Sequence, residues 1–98
     1  MRVIALNGSP RKDGNTAAAL EELEKEGIAV ETVNIGHLTI QGCTACGYCA
    51  TSENNECVFK DDPVNETASK IREADGFILA SPTYYAGIAG TMKSFLDR

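Results

Sequence analysis

"RVIALNGSPRKDGNTAAALEELEKEG", residues 2–27, runs from a short apolar stretch through a cluster of turn formers into an acidic, alanine-rich segment. "RVIAL" is rich in branched side chains and stops at "NGSP", which reads as a buried strand entering a loop. From Gly14 the pattern turns helical, with Asn15 or Thr16 as the expected N-terminal cap and Gly27 as the stop. "EELEKE" reads as the solvated face of that helix. An all-apolar strand leading into a helix is the opening unit of a parallel sheet with helices on both faces.

The rest of the chain repeats that unit. "IAVETVNI", residues 28–35, is a second strand whose apolar positions are Ile28, Val30, Val33 and Ile35. Its imperfect alternation suits an edge. Residues 36–61 show no period and hold all four cysteines, Cys43, Cys46, Cys49 and Cys57; a long loop of this kind inside a compact domain is usually functional or disordered. "DPVNETASKIREAD" follows as a helix, with Asp62 as cap, Pro63 in the first turn and Val64, Ala68 and Ile71 on one face. "GFILAS", residues 76–81, is a third apolar strand, and "IAGTMKSFLDR" is a last helix with Ile88, Met92 and Phe95 on one face. The expectation is one α/β domain over residues 1–98 with a cysteine-rich insertion at 36–61.

The 98 residues carry a net charge of −5 and no basic stripe, which argues against nucleic acid or an anionic membrane surface as partner. No apolar run approaches the ~20 residues of a membrane span, and no charged-then-apolar leader follows Met1. A cytoplasmic location is expected. A reducing compartment disfavours disulfides, so the clustered cysteines read as metal ligands or redox groups. So short a chain buries a modest share of its surface and calls for a metal, a cofactor or a second subunit.

Two loops carry binding chemistry. "NGSPRKDGNT" leads into a helix, where unpaired N–H groups and the helix dipole favour an anion. Gly8, Ser9 and Gly14 let the backbone approach; Ser9, Asn15 and Thr16 add donors; Arg11 or Lys12 adds charge. An ordinary strand–helix turn is the competing reading. "SPTYYAG" follows the third strand. With strand order 2-1-3 both loops lie at the switch point where ligands of open α/β sheets bind. Tyr84 and Tyr85 offer flat surfaces there, or are simply surface residues.

"LNGSPRKDGNT", the cysteine loop ending in "KDD", and "ADGFILASPTYYAGIAGTMKSFLDR" together resemble the flavodoxin-like NADPH-dependent FMN reductase superfamily. Within it, the loop resembles that of the iron–sulfur flavoproteins. The resemblance implies a flavodoxin-like three-layer sandwich with FMN as cofactor. Ser9, Arg11, Asn15 and Thr16 would hold the phosphate; Pro82, Thr83, Tyr84 and Tyr85 would line the ribityl chain and ring. It implies an oxidoreductase or electron-transfer protein working with a small-molecule redox substrate and with ferredoxin or NAD(P)H. Relatives continue with two more strands and helices, so the sheet expected here is 2-1-3, truncated after the third strand and helix. A naked third strand would pair with a second copy or another chain, making a homo-oligomer the expected state.

Three cysteines at successive two-residue gaps, with a remote fourth, match the opening spacing of a cubane-binding run. Cys43, Cys46, Cys49 and Cys57 are therefore expected to ligate one 4Fe–4S cluster. Zinc more often takes two separated CxxC pairs, and free thiols are the remaining option. The alternatives are an NAD(P)H-dependent FMN or quinone reductase without a cluster, and a non-enzymatic zinc-binding half-domain completed by a partner chain. His37 reads as a loop residue, and Asp61 and Asp62 as helix-capping rather than catalytic acids.

Overall fold

A computed structural model describes residues 1–98. Strand β1 (Arg2–Asn7) leads to helix α1 (Asn15–Lys25) and strand β2 (Ala29–Asn34). A short helix α2 (Tyr48–Thr51) lies within the cysteine loop, and helix α3 (Val64–Glu73) follows. Strand β3 (Gly76–Ala80) is succeeded by a two-residue hairpin, β4 (Thr83–Tyr84) and β5 (Gly87–Ile88), and by helix α4 (Gly90–Leu96). The main sheet is parallel in the order β2-β1-β3, as the sequence predicts.

Register sorts the helices onto the two faces. Successive strand residues point to opposite sides. Leu6 pairs with Val33, and both belong to the core built with Val64 of α3 and Met92 and Phe95 of α4. Ala5 pairs with Thr32 on the other face, where Thr32 lines a groove together with Leu20 of α1. One face thus carries α1 and the other α3 and α4. Ile4 and Leu6 are 0% exposed at the centre of the sheet, each worth roughly 1.5–3 kcal/mol of burial.

Several expectations are corrected. Neither Asn15 nor Thr16 caps α1: Gly14 occupies the cap position, without a side-chain bond, and both residues belong to the first turn. Gly27 does end the helix, at φ +83°, the left-handed conformation a glycine adopts without strain. Ile88 does not share the buried face of the last helix. The hairpin folds it outward, and Ala89 takes its place beside Met92 and Phe95. Pro63 caps α3 instead of entering its first turn, and Asp62 accepts the Val64 N–H at 3.1 Å. β3 is not covered on both faces, because Phe77 and Leu79 are 57% and 44% exposed. The chain after β3 turns at once into the hairpin, and α4 packs over β1 rather than over that outer edge.

The cysteine loop has more structure than its aperiodic sequence suggests. Ile35 and Ile40 are buried in the core and Leu38 packs against it, so the loop's first stem is rooted among α3 and α4. Gly36 passes directly over the backbone of Gly8 and Ser9; a Cβ at this position would collide with the Ser9 carbonyl. No helix is long and apolar enough to cross a membrane.

Candidate functional site

The two loops expected to meet do meet. β1 pairs with β3 as far as Asn7 opposite Ala80, and Gly8 N–H donates to the Ala80 carbonyl at 2.7 Å. The β1–α1 loop and the hairpin after β3 therefore leave the sheet side by side at its carboxyl end. The first loop is braced from inside. Asn7, 3% exposed, donates to Asn34 of β2 at 3.1 Å and accepts the Ser9 N–H at 2.9 Å. Ser9 is itself buried and accepts the Arg11 N–H at 3.2 Å, so its hydroxyl shapes the loop. Asn15 and Thr16 stand at the helix start with uncapped N–H groups around them. Arg11 is exposed.

The hairpin holds Pro82, Thr83, Tyr84 and Tyr85. Tyr85 and Ala86 are its two central residues, with φ of +45° and +65°. Positive φ at both positions is the tight turn that matches strand twist, and it usually selects Asn or Gly. A tyrosine and an alanine held there store strain, which clusters at functional sites. Tyr85 is fully exposed and Tyr84 half so. Ser81 closes the hairpin's base: its hydroxyl accepts the Ala89 N–H and donates to the Pro82 carbonyl, both at 2.9 Å. The sequence reading missed Ser81 because its partner lies across the turn.

A cavity of ≈650 Å³ lies outside this crevice. It lies between α1 and β2 and shares only Ser9 and Arg11 with the expected flavin residues. Its apolar lining is Ala17 and Leu20 alone, and Glu21 and Glu24 stand in its wall.

The four cysteines come together. Cys43, Cys46, Cys49 and Cys57 all line one small cavity of ≈50 Å³, closed by Phe59 and Arg98. All are free thiols; the first three are exposed and Cys57 is half-buried. Backbone turns aim them: Ala45 and Gly47 adopt φ of +58° and +80°, and Gly47 caps the short helix that carries Cys49. Two sulfurs accept hydrogen bonds. The Ala45 N–H reaches Cys43 Sγ at 3.3 Å, and Arg98 Nε reaches Cys57 Sγ at 3.1 Å. No three Cys, His, Asp or Glu side chains converge on a single ion-sized point.

Two residues that the sequence reading passed over fix Cys57. Asn65 of α3 accepts the Cys57 N–H at 2.8 Å and donates to its carbonyl at 3.0 Å. Arg98, its side chain fully shielded from solvent, pairs with Asp62 and lies over the Phe59 ring at 5.2 Å. Burial acts to lower the guanidinium pKa, but hydrogen bonds to Asp62 and Cys57 outweigh it and hold the pKa above its ordinary value.

A doubly wound sheet with facing loops at its switch point defines a flavodoxin-like α/β domain. The backbone accords with a solved flavone reductase at a TM-score of 0.66 and 21% identity, over 99% of this chain and 29% of that one. The family model described as "NADPH-dependent FMN reductase" matches residues 1–98, and the chain belongs to that family. It is 44% identical to an "Iron-sulfur flavoprotein" of Archaeoglobus fulgidus and 38% identical to one of Methanocaldococcus jannaschii, over 100% of its own length in each case. It is 30% identical to an "FMN reductase (NADPH)" of Escherichia coli over 99% of its length. It spans about half the length of these relatives, 45%, 51% and 47% respectively.

Proposed function

We propose that this chain is the FMN- and cluster-binding part of a flavin-dependent oxidoreductase. One observation carries the reading: four cysteines at cubane spacing line a single cavity with N–H donors already on two of the sulfurs. Thiolate clusters are commonly hydrogen-bonded in this way. A tetrathiolate zinc needs four sulfurs about 2.3 Å from one centre, whereas a cubane offers each thiolate a separate corner. The spacing, three cysteines at two-residue gaps with a remote fourth, is closer to a cubane-binding run than to the separated CxxC pairs usual for zinc.

When bound, FMN supplies two-electron chemistry and a 4Fe–4S cluster supplies one-electron transfer. The chain's own residues hold and orient. Ser9, Arg11, Asn15 and Thr16, with the N–H groups at the start of α1, would take the FMN phosphate. Pro82, Thr83, Tyr84 and Tyr85 would flank the ribityl chain and ring. Cys43, Cys46 and Cys49 lie at the surface, where a soluble partner such as ferredoxin can approach; NAD(P)H or another small molecule would exchange electrons at the flavin. A cytoplasmic setting suits four free thiols. The names of the archaeal relatives support the cluster, and that of the E. coli relative supports the second reading, an FMN or quinone reductase whose thiols hold nothing.

β3 stands at the edge of the sheet, and a second copy of the chain is expected to pair along it. Light scattering on the 98-residue chain with FMN tests that: self-association is expected, and a strict monomer contradicts it. The cofactor reading is tested by anaerobic purification. A flavin spectrum with a broad iron–sulfur background supports it, and a yellow, iron-free protein selects the second reading.

A further inference from the structure

We infer that Arg98 is the positioning residue of the cysteine loop and that its charge sets the potential of the one-electron centre held there; the latter half rests on the cluster proposed above. Arg98 ties the two stems of the loop together. It donates to the Gln41 carbonyl at 3.0 Å and to the Phe59 carbonyl at 2.9 Å, just outside Cys43 and Cys57. It also pairs with Asp62, at the foot of α3. Its own backbone follows directly after α4, so one planar guanidinium joins α4, both loop stems and the entry to α3.

The contact to sulfur is separate from this clamp. Nε is the donor to Cys57, while the two terminal nitrogens serve the carbonyls and the carboxylate. Cys43 receives a neutral backbone N–H, so Arg98 is the only cation hydrogen-bonded to any of the four sulfurs. A charged donor on a ligating sulfur stabilises the more negative, reduced form of a cluster and raises its reduction potential. The low exposure of the side chain weakens solvent screening, while the paired Asp62 carboxylate offsets part of the charge. A purely structural arginine would hold the loop and leave the potential unmoved.

Arg98→Lys and Arg98→Met separate the two roles. Lysine keeps the charge but cannot bridge two carbonyls, a carboxylate and a sulfur at once. In the anaerobic holoprotein, Arg98→Met should shift the reduction potential to more negative values, and Arg98→Lys should restore most of the shift. Hydrogen exchange across residues 42–57 should quicken about tenfold or more in both variants, because bonds to a charged group are lost. Asp62→Asn, which loosens the guanidinium without removing it, should quicken exchange less and is the fallback if Arg98→Met fails to fold. Unchanged exchange in the Arg98 variants overturns the clamp, and an unchanged potential in Arg98→Met overturns the tuning. If the wild type contains no iron or sulfide, the cluster reading and the tuning fall together, and exchange still decides the clamp.

Discussion

The cysteine loop and the crevice between the β1–α1 loop and the hairpin stand at the same end of one domain and are built in different ways. The crevice is set by strand pairing and by short-range braces. Its loops diverge from paired strands, it is braced by Asn7 and Ser81, and it keeps a strained turn at Tyr85 and Ala86. The cysteine loop is fastened by side chains outside it, with Asn65 of α3 and Arg98 after α4 both closing on Cys57. The crevice follows from the fold, whereas the loop's form depends on a few specific residues. Single substitutions should therefore cut deeper in the loop.

The first prediction carries that contrast furthest. Cys57→Ser removes the half-buried cysteine that Asn65 and Arg98 position, and iron analysis of the anaerobic protein should show most of the iron gone. Full iron content in that variant would mean that the fourth ligand lies elsewhere. Next comes Gly36→Ala, where the two regions touch. Any Cβ there runs into the Ser9 carbonyl, so the loop stem or the β1–α1 loop must move. Urea unfolding should register a loss of about 3 kcal/mol, at the upper end for overpacking, with weaker FMN binding. A neutral substitution would show that the two loops are not locked together.

A smaller effect is expected on the crevice side. The Asn15→Ala, Thr16→Ala double variant should weaken FMN binding by about 10-fold or more, since a hydrogen bond to a charged group is worth ~1.5–3 kcal/mol. Fluorescence titration checks this, and unchanged affinity places the phosphate elsewhere. The smallest effect is at Tyr85→Gly. Relief of the left-handed turn should raise stability by up to about 1 kcal/mol, while the lost ring weakens FMN. A variant that gains stability and loses no affinity would assign Tyr85 no part in binding.

The sheet was legible because its strands are uninterrupted apolar runs and its helices are periodic. "RVIAL" and "GFILAS" need only local reading to be seen as parallel strands, and from their order the meeting of "NGSPRKDGNT" with "SPTYYAG" follows. Boundaries set by turn chemistry were less legible. Nothing in "YYAG" announces a two-residue turn with positive φ at tyrosine and alanine, so Ile88 was expected on the helix face that Ala89 fills. The four cysteines could be grouped from spacing alone. Their supports could not: Arg98 lies 41 residues from Cys57, Asn65 looks like any polar helix residue, and Gly36 matters only because another loop passes beneath it. Those roles arise from tertiary contacts, and local pattern carries no trace of them.

The proposed role of the four cysteines is to hold a one-electron centre beside a flavin. Iron, acid-labile sulfide and FMN determination on a single anaerobic preparation, with its absorption spectrum, tests it most directly. About four iron and four sulfide per chain are expected, as a cubane requires, together with bound FMN and a broad absorbance that bleaches on reduction. Zinc in place of iron, or FMN with neither metal nor sulfide, would contradict it.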